Sequence, residues 1–94
     1  MSRRVKLSDD AERDVQEIFR YYAGKEEGLD GRFFDDFKAS CVHIETFPDG
    51  WLKIDGYSRA LLKNFPYVIY FSVSPKEISI IRVFSAKRRP DSWR

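Results

Sequence analysis

The feature that most constrains this chain is a change of hydrophobic period near residue 50. Before it, Ala11, Val15, Ile18, Phe19 and Tyr22 recur at helical spacing, and so do Phe33, Phe34, Phe37, Cys41, Ile44 and Phe47. A 3.6-residue period gathers each set into one apolar stripe, which predicts two amphipathic helices. After it, β-branched and aromatic residues alternate with polar ones in runs bounded by turn residues, as in strands. Two striped helices need a sheet face to cover, so the expected fold is a two-layer α+β sandwich.

Local signals place the boundaries. Arg4 to Ser8 alternates as a short strand. Asp9, with Glu12 three residues on, has the spacing of a capping box and opens the first helix, which Gly24 ends. Lys25 to Gly31 reads as the turn of a helix hairpin. The second helix starts near Asp30 and stops at Pro48, Asp49 and Gly50. Strands are predicted over Tyr57 to Asn64, Tyr67 to Ser74 and Glu77 to Ala86, with a tight connection at Pro75 and Lys76. The order is β-α-α-β-β-β, an N-terminal helix hairpin packed on a mainly antiparallel sheet, in a single domain over residues 1–94. On the Tyr67 strand, Tyr67, Ile69, Phe71 and Val73 form the expected core face, opposite Val68, Tyr70, Ser72 and Ser74.

With 94 residues there is room for one small core. A lone cysteine, Cys41, forms no intrachain disulfide, and residues 1–7 lack the apolar run of a signal peptide, so a cytoplasmic location is expected. The apolar stretch Phe65 to Val73 is far shorter than the ~20 residues that span a bilayer, so no membrane segment is expected. The net charge of +2 conceals a segregation: residues 9–36 hold ten acidic and four basic groups, and residues 57–94 hold two acidic and eight basic. The C-terminal half is thus suited to an acidic partner surface.

Cys41 and His43 lie two apart on a helix, point apart and have no second histidine nearby in sequence, so neither a metal site nor a nucleophile is expected, and no cofactor. Asp9, Asp10, Glu12, Asp14 and Glu17, and likewise Asp35 and Asp36, read as solvated helix faces. Tyr57, Tyr67 and Tyr70 read as core residues of strands. The basic set Arg59, Arg82, Lys87, Arg88 and Arg89 is different, because it converges on one end of the sheet and is joined by the large apolar Trp93. Such a cluster holds phosphates or carboxylates through charge-assisted hydrogen bonds.

Three segments in order carry a family resemblance: Arg59-Ala60-Leu61-Leu62, Phe65-Pro66-Tyr67-Val68-Ile69-Tyr70, and Lys87-Arg88-Arg89-Pro90-Asp91-Ser92-Trp93. They resemble the C-terminal signature of RelE/ParE toxins, and the preceding helix hairpin extends the likeness over nearly the whole chain. The resemblance implies the toxin of a type II toxin–antitoxin pair, bound by a cognate antitoxin in a hetero-oligomer. ParE-like members inhibit DNA gyrase, and RelE-like members cut messenger RNA on the ribosome.

The RelE-like mechanism needs a base, an acid and cations around the scissile phosphate. RelE-like members often place an Arg where this chain has Val68, and a Tyr near the C-terminus where this chain has Trp93. The ParE-like reading is therefore preferred, with no catalytic residues and with Arg59, Arg82, Lys87, Arg88, Arg89 and Trp93 as target or antitoxin contacts. In the alternative, Arg82, Lys87 and Arg88 stabilise the phosphate of a message. Many ParE-like relatives carry His-x-x-Arg-Asp-Pro where this chain has Ser85-Ala86-Lys87-Arg88-Arg89-Pro90, which also leaves open a non-toxic relative that only binds its antitoxin.

Overall fold

A computed structural model describes residues 4–87. Strand β1 (Arg4–Leu7) leads into helices α1 (Asp9–Ala23) and α2 (Leu29–Thr46), followed by β2 (Lys53–Ile54), β3 (Tyr57–Leu61), β4 (Tyr67–Val73) and β5 (Glu77–Ser85). The sheet order is β1-β5-β4-β3-β2. Only β1 on β5 is parallel; every other pairing is antiparallel. The predicted α+β architecture is present, with one strand more than expected.

That strand, β2, pairs Lys53 with Ser58 and Ile54 with Tyr57. Its hairpin turns at Asp55 and Gly56, with φ of 54° and 85°. Positive φ at both central residues matches the right-handed twist of the strands, and Asp-Gly is a preferred sequence for it.

The first helix is capped by Ser8 and not by Asp9. The Ser8 hydroxyl accepts from the Ala11 N–H at 3.0 Å, and Asp9 is already helical. The same hydroxyl donates to the Ile81 carbonyl at 2.8 Å, so one side chain caps α1 and ties it to β5. Gly24 ends α1 as expected, its N–H donating to the Arg20 carbonyl.

The helix stripes pack on one face of the sheet, except that Phe19, Phe34 and Phe47, which their spacing placed in the stripes, are exposed at the margins. Ala11, Val15, Phe33, Phe37 and Ile44 meet Ala60, Leu62, Ile69, Phe71, Ile78, Ile80 and Val83 in one core, with Tyr67 and Val73 partly buried against it. Full burial of one such aromatic or branched side chain contributes about 2–3 kcal/mol. At the core's edge Tyr22 stacks on Phe33, and Phe65 and Tyr67 meet them edge-on, with ring centroids 5.0–6.2 Å apart. Burial and the neighbouring Tyr22 hydroxyl raise the Tyr67 pKa, which keeps that phenol neutral. The opposite face of the sheet is also buried in its middle, where Val68, Tyr70 and Phe84 form a second cluster.

β5 does not hold strict alternation. Tyr70 faces Arg82 but Phe71 faces Ile80, so Ile81 is an extra, bulged residue. Without the bulge, the parity of Ile78 and Ile80 would send Arg82 into the core. The extra residue resets the phase, so that Val83 enters the core and Arg82 leaves it.

Candidate functional site

The basic end of the sheet is built by β3, β5 and the residues after β5. Arg59 lies on β3 opposite Tyr70, and Tyr70 lies opposite Arg82, so the three form one row across the sheet. Arg59 is half-buried, and its Nε is buried with no hydrogen-bond partner among the described residues. Lys87 is exposed beyond the end of β5. Arg88, Arg89 and Trp93 lie outside the described residues.

Arg82 has a partner that the sequence did not reveal. Its Nε and Nη2 donate to the two carboxylate oxygens of Asp14 at 2.8 and 3.0 Å, and its guanidinium lies 4.3 Å over the Phe84 ring. The Asp14 carboxylate also accepts the Val83 N–H at 2.9 Å, closing the β5 edge beyond the reach of β1. The hydrogen bonds donated to Asp14 raise the Arg82 pKa, and burial opposes them. Asp14 is therefore a structural anion, a correction to its reading as part of a solvated helix face. The reason is tertiary: β1 stops opposite Ile80, which leaves the Val83 N–H on the β5 edge to Asp14, and the bulge takes Arg82 off the core face.

Asp36 is corrected in the same way. It is 6% exposed and accepts from the Asn64 and Phe65 N–H groups at 2.9 and 3.1 Å and from Asn64 Nδ2 at 3.1 Å. Those bonds hold the β3–β4 loop against α2. By contrast Asp9, Asp10, Glu12, Glu17 and Asp35 are exposed, as predicted.

A groove of about 810 Å³ opens between α2 and that loop, lined among others by Arg32, Asp35, His43, Leu61, Lys63 and Asn64. Sequence reasoning missed it, because its walls come from segments that meet only in the folded chain. Leu61 on its rim is 62% exposed, and so are Val42, Phe47 and Leu52 at 60–64%.

Cys41 and His43 have no site chemistry between them. Cys41 packs against the core, where burial, helped by Glu45, pushes its thiol up to about 12. His43 packs edge-on to Phe47 and Trp51. Among the described residues no three His, Cys, Asp or Glu side chains cluster as metal ligands, and no helix is long and apolar enough to cross a membrane.

Residues 5–90 match the family model of the ParE toxin of the type II toxin–antitoxin system parDE. The chain belongs to the ParE toxin family. Its fold is similar to that in the chromosomal ParDE toxin–antitoxin system of P. aeruginosa, with a TM-score of 0.76 and 20% identity over 89% of this chain and 96% of that one. It is also similar to the E. coli DinJ–YafQ toxin–antitoxin complex, with a TM-score of 0.61 and 14% identity over 90% and 93% of the two chains. A conserved hypothetical protein of Helicobacter pylori gives a TM-score of 0.57 and 16% identity over 90% and 94%. No curated protein sequence matches. Within the ParE family frame, Val68 is 1% exposed in the second apolar cluster.

Proposed function

We propose that this ParE-family chain is a toxin that docks on DNA gyrase and blocks it, and that a cognate antitoxin neutralises it. Docking falls to the cations that follow β5 in the sequence, Lys87, Arg88 and Arg89, facing an acidic patch on the target. The observation that carries this reading over a nuclease is the commitment of Arg82 to Asp14, since a guanidinium already held by a carboxylate is a poor ligand for a scissile phosphate. The strand position that a catalytic Arg often fills in RelE-like toxins is here the buried Val68.

Gyrase-catalysed supercoiling with the purified chain tests the proposal. Inhibition at micromolar concentration is expected, weakened by the Lys87→Glu/Arg88→Glu/Arg89→Glu triple substitution. Full supercoiling at that concentration overturns it. New 5′ ends on translated messages after induction would instead identify a ribosome-dependent endoribonuclease. Unimpaired growth on induction without antitoxin would identify a non-toxic relative.

The antitoxin's seat is proposed to be the groove between α2 and the β3–β4 loop, with its exposed Leu61. The groove carries both signs, Arg32 and Lys63 beside Asp35 and Asp36, so it suits a peptide of mixed charge with an apolar residue for Leu61. A Leu61→Glu substitution is expected to weaken antitoxin binding at least tenfold in calorimetry while leaving the circular dichroism unchanged.

A further inference from the structure

The groove beside α2 runs along an open length of sheet edge. The Leu62 N–H donates to the Tyr67 carbonyl, so the backbone groups of Ala60 and Leu62 point to β4 and those of Arg59 and Leu61 point the other way. Arg59 uses its N–H on that outer side, donating to the Leu52 carbonyl at 2.9 Å. Leu61 lies beyond this bond. Strand β2 pairs only with Tyr57 and Ser58, and Trp51 before it turns away under α2, its indole donating to the Phe47 carbonyl and its ring meeting Phe71 edge-on. Among the described residues no strand therefore faces the N–H and C=O of Leu61.

The groove has the length and the room for an extended chain on this edge. Its other wall is α2 from Leu29 to His43, about 21 Å of helix, which is the span of about six residues of strand. Ala39 and Ser40 on that wall are small and leave space for inward-facing side chains. The far end of the edge is held in place, since Asp36 accepts from the Asn64 and Phe65 N–H groups. A helix laid in the groove would shield the Leu61 backbone groups from water without bonding them, which is costly, whereas a strand bonds both.

Charge discriminates between strands. A residue paired with Leu61 lies beside its side chain, which is 62% exposed, and a residue two positions along falls beside Lys63. A second copy of β3 is a poor match, because antiparallel pairing of Leu61 with its own copy sets Arg59 against Lys63 at both ends. A segment with an apolar residue for Leu61 and an acid for Lys63 fits.

We propose that the partner in this groove binds as a strand, continuing the line of β2 along β3 and bonding to the N–H and C=O of Leu61, with an apolar residue opposite Leu61 and an acid beside Lys63. The inference rests on the antitoxin being the occupant of the groove. It adds that the antitoxin segment is extended there and that main-chain bonds to β3 hold it.

The chain, free and in complex with the antitoxin co-expressed from the adjoining reading frame, gives the test. Amide hydrogen exchange is read residue by residue by NMR on the isotope-labelled chain. In the free chain the Leu61 amide should exchange about tenfold faster, or more, than the Leu62 amide bonded to Tyr67, and in the complex it should slow by about tenfold or more. Leu61→Pro removes the outward N–H at a sheet edge, where proline is tolerated, and Leu61→Val keeps it. In calorimetric titration with the same antitoxin, Leu61→Pro should bind about tenfold more weakly. Leu61→Val should lose no more than about threefold, for one partly buried methylene. The exchange measurement uses the unchanged chain and stands even if Leu61→Pro fails to fold. A complex in which the Leu61 amide exchanges as it does in the free chain overturns the strand and leaves the antitoxin reading intact, whereas absence of any complex overturns both. Equal losses in the two variants overturn the backbone bond. Protection of the Leu61 amide in the free chain also overturns the proposal, giving the edge to a second copy if dilution removes it and to the chain's own terminus if dilution does not.

Discussion

The Asp14 carboxylate receives two nitrogens of Arg82 and the backbone N–H of Val83, so one side chain of α1 holds both the charge and the free edge of β5. The pair is mostly shielded from water, with 12% of the Asp14 and 22% of the Arg82 side chain exposed. Removing one partner of such a pair leaves the other charge underpaired in a poor solvent. Asp14→Ala is expected to cost about 2–3 kcal/mol in urea unfolding. An exposed carboxylate of the same helix is the control: Glu17→Ala should stay within about 0.5 kcal/mol.

Asp36 supplies three hydrogen bonds to the β3–β4 loop. Asp36→Ala strands two backbone N–H groups and is expected to cost about 2–3 kcal/mol. Because the loop forms one wall of the groove, hydrogen exchange at Asn64 and Phe65 should accelerate more than exchange in β4.

Ser8 acts twice, as N-cap of α1 and as donor to Ile81. Ser8→Ala is expected to destabilise the fold by about 1–2 kcal/mol, measured by thermal or urea unfolding. Asp9→Ala, by comparison, removes only an exposed first-turn charge and should cost about 0.5 kcal/mol or less.

Cys41 predicts a pH dependence whose sign follows from burial. Its thiol titrates near 9.0 when free and near 12 when folded, so above pH 9 the unfolded chain loses a proton that the folded chain keeps. The contribution of Cys41 is complete below pH 9 and is lost as pH rises toward 12. A Cys41→Ala variant should show a shallower loss of stability over that window. At pH 8 the native thiol should react with a disulfide reagent far more slowly than the urea-unfolded chain.

Gly56 sits at φ 85° in the β2–β3 turn, a conformation that costs a residue with a Cβ about 1–2 kcal/mol. Gly56→Ala is expected to lower stability by about 1 kcal/mol. Gly31, which lies in helix α2, should tolerate or gain from the same change.

The sequence by itself determined the two helices, the three long strands and the face of β4 that meets the helices, because hydrophobic period and turn residues are local properties of the chain. Asp55-Gly56 is an equally local turn signal for the β2 hairpin, but a strand of two residues carries no alternation by which to recognise it. The family was legible as well, since Arg59, Phe65-Pro66-Tyr67 and the basic run from Lys87 keep their order and spacing along the chain. Tertiary structure decided which charges are free. Asp14 and Asp36 look in sequence like any other acid on an amphipathic helix, but each meets a donor more than 25 residues away. Only the Ile81 bulge, which no alternation pattern encodes, turns Arg82 from a core-facing strand residue into the partner of Asp14. An ion pair depends on where two distant segments meet, and the period of either segment carries no record of it.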